Sequence, residues 1–284
     1  MKWFFPLLAL VACLPQHAFA DTTLGTVIAK LPHVITKGGV YRLTKDLGFV
    51  DVTGNAISVD VTDVVIDLNG FEIIAVSGSA NNAVGIKSSL KNRVTIKNGT
   101  IRGFEKGVVI GGDDARVSDL LLVNNLETGV SVTGNHAQII HNRVFDTGGS
   151  TNGGVVDAEG ITLTGTYGTI SDNDVELTFQ SDTTGHFADG IQLLGCSDII
   201  VSNNRVLDVE PAVATKGKAT GIIADPAASS DAVVFLGNTV VTTEIPFDLS
   251  GGLSGKYGDN VTSDFTAPSA YVTSGTGMVN IGNN

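Results

Sequence analysis

Gly160-Ile161-Thr162-Leu163, Asn173-Asp174-Val175, Gly190-Ile191-Gln192-Leu193, Asn204-Arg205-Val206: through this stretch two markers alternate. Glycine followed by a β-branched residue recurs in both directions from it, at Gly85-Ile86, Gly107-Val108, Gly129-Val130 and Gly221-Ile222. Successive glycines are separated by 22, 22, 31, 30 and 31 residues. The second marker is an Asn or Asp with an apolar residue two places on. It returns as Asp119-Leu120-Leu121, Asn142-Arg143-Val144 and Asn238-Thr239-Val240, with Asn69 and Asn98 as looser copies. A fixed period of this length is the signature of a solenoid.

Between the markers the chain alternates with period two, as in Val94-Thr95-Ile96 and Gly190-Ile191-Gln192-Leu193. That is the pattern of short strands. One repeat cannot bury its apolar face alone, but stacked repeats bury it together. The expected fold is all-β: a single-stranded right-handed parallel β-helix with an N-terminal cap and an irregular C-terminal tail. Successive windings should pair as parallel strands about 4.8 Å apart. The Asn positions should stack, each amide bonding to its own turn and to the next Asn. Arg143, Asp174 and Arg205 should form an outward column of alternating sign.

The boundaries read from the sequence are a signal peptide over 1–20, a cap over 21–45, coils over 46–245 and a C-terminal cap or tail over 246–284. In the cap, Thr23 to Leu31 reads as a short amphipathic helix and Val40 to Leu47 as a strand. The leader has Lys2, an apolar run from Trp3 to Leu14, and Ala18-Phe19-Ala20 before Asp21. It directs the chain to the periplasm or beyond and is too short to span a bilayer. The alternative is acylation at Cys13 within Leu10-Val11-Ala12-Cys13, giving a lipoprotein. Once the leader is gone Cys196 is the one cysteine left, so no internal disulfide can form.

The 284 residues carry 17 Lys+Arg against 29 Asp+Glu, a formal charge of -12. This acidic balance argues against nucleic acid or an anionic membrane surface as partner. With 42% hydrophobic and 16% charged residues the chain is too apolar for disorder. Its 35 glycines have no triplet period, which excludes collagen.

Leu31-Pro32-His33-Val34-Ile35-Thr36 and Gly39-Val40-Tyr41-Arg42-Leu43-Thr44 resemble the opening of secreted bacterial right-handed parallel β-helix proteins. Val64-Val65-Ile66-Asp67-Leu68-Asn69-Gly70 and Val94-Thr95-Ile96-Lys97-Asn98-Gly99-Thr100-Ile101 are similar to their first coils. The resemblance covers roughly residues 27–244 and implies the pectate-lyase-like superfamily, many of whose members act on polysaccharides. Such a fold specifies architecture more than chemistry.

Coil length points to a site. The longer repeats take their extra residues at one corner, roughly Asp146–Glu159, Gln180–Asp189 and Glu210–Thr220. Long loops on a rigid scaffold are where function concentrates. Glu159 and Asp189 each precede the repeat glycine, so they should stack on neighbouring rungs. Two such carboxyls repel unless one is protonated or a cation intervenes. They are candidates for an acid/base pair with His186 as a general base. With Asp157 they are also candidates for a Ca²⁺ site. Gln192 and Thr162 on the outward strand face, with Lys216 and Lys218 in the third long corner, are candidate substrate-binding residues; in a lyase His186, Lys216 or Lys218 would be the base, and Tyr167, Phe179 or Phe187 would supply sugar stacking. The Asp189-Gly190-Ile191 step looks like the aspartate-bearing strand of polygalacturonases, whose second acidic pair and His-Gly and Arg-Ile-Lys motifs are absent here.

The expectation is therefore an exported, monomeric, carbohydrate-active protein. As an enzyme it would be a polysaccharide lyase, epimerase or glycoside hydrolase. The alternative is a non-catalytic surface or glycan-binding β-helix.

Overall fold

The computed structural model describes residues 25–78, 81–150, 157–180, 186–211, 218–225, 232–250, 253–273 and 277–282. The leader with Cys13, and Asp182 and Lys216 of the long corners, lie outside the described residues. No helix occurs among the described residues. None is therefore long and apolar enough to cross a membrane.

The chain winds as a parallel β-helix. One sheet takes one strand per winding and has ten strands, from His33–Ile35 to Tyr271–Val272. The other takes two per winding, such as Gln138–Ile140 and Arg143–Gly148. Every pairing is parallel, each strand meeting its equivalent one winding away.

Registration follows from what points inward. Val108, Val130, Ile161, Ile191, Ile222 and Phe247 are successive register partners, and all are fully buried. Burying each such side chain contributes roughly 1.5–3 kcal/mol relative to exposure. A one-residue slip would turn the column to solvent, so the pattern fixes the register.

The repeat glycines are required by close approach. A methyl group on Gly160 would stand 2.5 Å from the Gly190 carbonyl oxygen, and one on Gly129 would stand 2.6 Å from that of Gly160. One on Gly190 would stand 2.6 Å from the Gly221 carbonyl oxygen, so these glycines lie directly over one another. The column begins at Gly85 and ends where Gly221 meets the Pro246 carbonyl.

The asparagine ladder is present and runs from Asn142 through Asn173, Asn204 and Asn238 to Asn260, every member buried. Asn69, Asn98 and Asp119 do not belong to it. The backbone N–H of Leu120, not of Asp119, donates to Asn142 Oδ1. Asn69, Asn98 and Asp119 stand one residue earlier, in a column continued by His141, Asp172 and Asn203, all at φ of 53–59°. Left-handed backbone explains the Asn and Asp there, because their short polar side chains tolerate it. The ion column is as expected: Asp174 takes Arg205 at 2.5 Å and Arg143 at 3.7 Å.

The expected helix over Thr23–Leu31 is replaced, where described, by a strand at Thr26–Val27 that pairs with Tyr41–Arg42. Its β-branched residues extend into the ladder, and Ile28 continues it by donating to Arg42 O while burying its side chain. The expected strand over Val40–Leu47 is two strands, Gly39–Arg42 and Leu47–Phe49. Parallel pairing continues past residues 46 and 245, out to Ser254–Tyr257 with Gly277–Asn280. Both ends are built of short strands, such as Thr26–Val27 and Tyr271–Val272.

Candidate functional site

Along the ten-stranded sheet, the residue before each repeat glycine falls in one column. Lys106, Thr128, Glu159, Asp189 and Thr220 are consecutive register partners. Glu159 and Asp189 are therefore neighbours on the strands Ala158–Thr166 and Ala188–Ser197. The next outward column runs Ser131, Thr162, Gln192, Ile223 and Asp248. Alternation with the inward Ile161, Leu163, Ile191 and Leu193 sets the Thr162–Gln192 column on the outer face. The repeat glycine interrupts the alternation, and Glu159 and Asp189 join that face, where they meet Thr162 and Gln192.

That face is shielded at these rungs. Asp189 is 3% exposed, Thr162 4% and Gln192 9%. Glu159 Oε2 accepts from the hydroxyls of Thr162 at 2.8 Å and Thr128 at 3.3 Å. Gln192 Nε2 approaches Asp189 Oδ2 at 3.4 Å, a weak bond. Asp189 Oδ1 and Gln192 Oε1 are buried without a hydrogen-bond partner.

Burial pushes the Asp189 carboxyl up to about 8, and the adjoining Glu159 and then Asp157 act in the same direction. The Thr220 hydroxyl pulls back. Burial also raises Glu159, opposed first by its Thr162 hydrogen bond and then by Lys106. At neutral pH the pair is arranged to hold one proton, chiefly on Asp189.

Asp157 Oδ1 accepts from the Phe187 backbone N–H at 2.7 Å and meets His186 Nδ1 at 3.2 Å. His186 and Asp157 thus stand together at the margin, beside exposed Phe187. No three His, Cys, Asp or Glu side chains converge as metal ligands among the described residues. Asp157 is turned to His186 and the Phe187 backbone. Lys218 is exposed and joins the rung through its carbonyl, which accepts from Ala188 N–H at 2.9 Å. Tyr167 lies away from the pair, stacked on His136 at 5.5 Å. Cys196 is a buried core residue, and burial raises its thiol.

Lys106, Glu127, Thr128 and Thr220 were not among the residues expected from sequence. Lys106 closes on Glu127 at 2.5 Å. Three of the four share the signal that marked Glu159 and Asp189, a place immediately before the repeat glycine. Two surface depressions lie away from the pair. One of about 690 Å³ surrounds Asp119, His141, Arg143 and Asp172, and one of about 490 Å³ lies beside Glu210, Glu244 and Asp264. A buried, protonated carboxyl beside a second carboxyl can give a proton to a departing oxygen while its neighbour supports the reacting carbon.

In fold the chain is similar to the Dettilon tailspike protein, at 14% identity and a TM-score of 0.59 over 91% of this chain and 59% of that one. The chain thus spans less than two thirds of the tailspike's length. It is also similar to the DFA-IIIase from Arthrobacter chlorophenolicus A6, solved without its lid in complex with GF2. There the identity is 12% and the TM-score 0.53, over 85% of this chain and 69% of that one. No curated protein matches the chain. Residues 82–270 match the family described as the right handed beta helix region. Its parallel windings, stacked glycines and continuous inward column agree with that match, and the chain belongs to the right-handed β-helix family.

Proposed function

We propose that this is an exported, carbohydrate-active β-helix protein that cleaves glycosidic bonds at the Glu159–Asp189 pair. The observation that carries the reading is that pair: two carboxyls in register on adjacent rungs of the outer face, with Asp189 held protonated by burial. Asp189 serves as the acid. Glu159, positioned by Thr128 and Thr162, serves as its ionised partner. Gln192 and Thr162 bind sugar hydroxyls, and the His186–Asp157 couple borders the site. The leader over 1–20 supports export. The pectate-lyase-like resemblance and a DFA-IIIase of the same fold with GF2 bound agree with a carbohydrate ligand.

The test is a glycan panel offered to the mature protein, with reducing ends and unsaturated products read separately. Turnover should fall about 100-fold or more in Asp189→Asn and in Glu159→Gln. Undiminished turnover in both would remove the assignment.

A second reading is a non-catalytic glycan-binding solenoid. The observation favouring it is the 3% exposure of Asp189, low for a group that must meet a substrate. Retention of a glycan with no product would select it.

A further inference from the structure

We infer that the Tyr167–His136 ring pair is a second glycan contact, apart from the Glu159–Asp189 pair, which takes a pyranose ring by its C–H face. The inference rests on the carbohydrate reading above and adds a site to it.

The ring pair stands on the corner that follows each strand of the ten-stranded sheet. Asp114, His136, Tyr167 and Asp198 hold the same place in four successive windings, with φ of 58°, 57°, 58° and 55°. The backbone N–H of Asp114 donates to Asn135 O, that of His136 to Thr166 O and that of Tyr167 to Ser197 O. Left-handed backbone suits the short polar side chains of Asp114 and Asp198, and a bulky ring is strained there. Leu90 and Leu177 take the same backbone elsewhere, so the conformation by itself marks no site. The arrangement of the rings does.

Burial returns nothing for the strain, because Tyr167 is 62% exposed and His136 is exposed beside it. The two rings lie 17° from parallel with centroids 5.5 Å apart, so each orders the other. His136 Nδ1 lies 3.5 Å from Asp114 Oδ1, which orients the imidazole from one winding earlier. An aromatic surface held in place before a ligand arrives loses little entropy on binding.

The chemistry of that surface is a sugar's complement. The C–H face of a pyranose carries partial positive charge and suits the negative face of an aromatic ring. Asp198, exposed one winding beyond Tyr167, accepts from hydroxyls at the sugar's rim. Tyr167 follows the end of the strand Ala158–Thr166, and Glu159 lies near its start. A glycan long enough to cross the face is held at both places, and two linked contacts retain it far better than either one.

The chain's one tryptophan, Trp3, lies in the leader, so the mature Tyr167→Trp protein carries a single fluorescent reporter and keeps a ring at the corner. It is titrated with dextran, β-glucan, galactan, polygalacturonate and alginate. Retention of the parent, Tyr167→Ala, Tyr167→Phe and His136→Ala is read on gels holding the same five glycans. For at least one glycan the emission should shift saturably, and Tyr167→Ala should lose about tenfold in retention. Tyr167→Phe should be retained as the parent is, and His136→Ala should be weakened. All four should melt alike, since both side chains are exposed. Equal retention of the parent and Tyr167→Ala would overturn the inference and leave the carbohydrate reading standing. No retention by, and no product from, any of the five would overturn both.

Discussion

The side-chain amide of Asn173 donates to Asn204 Oδ1 at 2.9 Å, and the same oxygen accepts the Asn173 backbone N–H at 3.0 Å. Each rung of the ladder repeats this double acceptance, while each Nδ2 also reaches back to a carbonyl, as Asn204 does to Ile170 O at 2.9 Å. Only a side chain with a donor and an acceptor at one end can serve both neighbours.

Asn204→Ala should therefore strand two donors and one acceptor in the interior. A loss of about 2–4 kcal/mol by chemical denaturation is expected. Asp174→Ala, which opens the half-exposed Arg143–Asp174–Arg205 column, should cost less than about 1 kcal/mol in the same assay. Equal effects would mean that the ladder adds no more than the surface does.

The glycine column permits a second comparison. In Gly160→Ala the new methyl meets the Gly190 carbonyl oxygen at 2.5 Å and Val175 Cγ1 at 2.6 Å. Backbone cannot move aside there without breaking the register of a whole winding, so a loss of about 3 kcal/mol or failure to fold is expected. Gly48→Ala, whose methyl would lie 3.7 Å from Val76 Cγ1, should fold with a midpoint close to that of the parent.

Stability should vary with pH in a direction set by Asp189. Its folded value, about 8, stands above its unfolded one, so the folded state binds the extra proton. The contribution is fully present below the unfolded value near 3.8 and is lost as pH rises through about 8. Asp189→Asn removes this dependence. Its melting temperature should gain on the parent between pH 4 and pH 8, by an amount on the order of a few kcal/mol in stability. Parallel pH profiles for the two proteins would show that Asp189 is not held protonated.

The pair also bears on stereochemistry. Adjacent parallel strands lie about 4.8 Å apart, near the separation of about 5–5.5 Å found for the carboxyls of retaining glycosidases. The first product released should keep the anomeric configuration of the substrate, read by proton NMR during the initial turnover. Inverted product would place the second carboxyl elsewhere.

Much of this fold was legible in the chain because its constraints fall on single residue types. A carbonyl one rung away excludes every side chain at Gly160, and a two-sided amide is needed at Asn173, so both repeat visibly. Asp119 misled because a left-handed corner selects Asn and Asp for a different reason one residue before the ladder. Thr23 to Leu31 read as a helix because amphipathic spacing in a short segment does not report the pairing offered by Tyr41–Arg42. The juxtaposition of Glu159 and Asp189 was legible for the same reason as the glycines, a constant place in the repeat. The shielding of Thr162 and Gln192 was not, because alternation tells which face a residue takes and not how open that face is.

The most direct test is the titration of the Asp189 carboxyl carbon by NMR, in the parent and in Glu159→Gln. A midpoint near 8 is predicted, moving down when the neighbouring charge is removed. A midpoint in the ordinary carboxylate range, unchanged in the variant, would contradict the proton-holding pair on which the proposed chemistry depends.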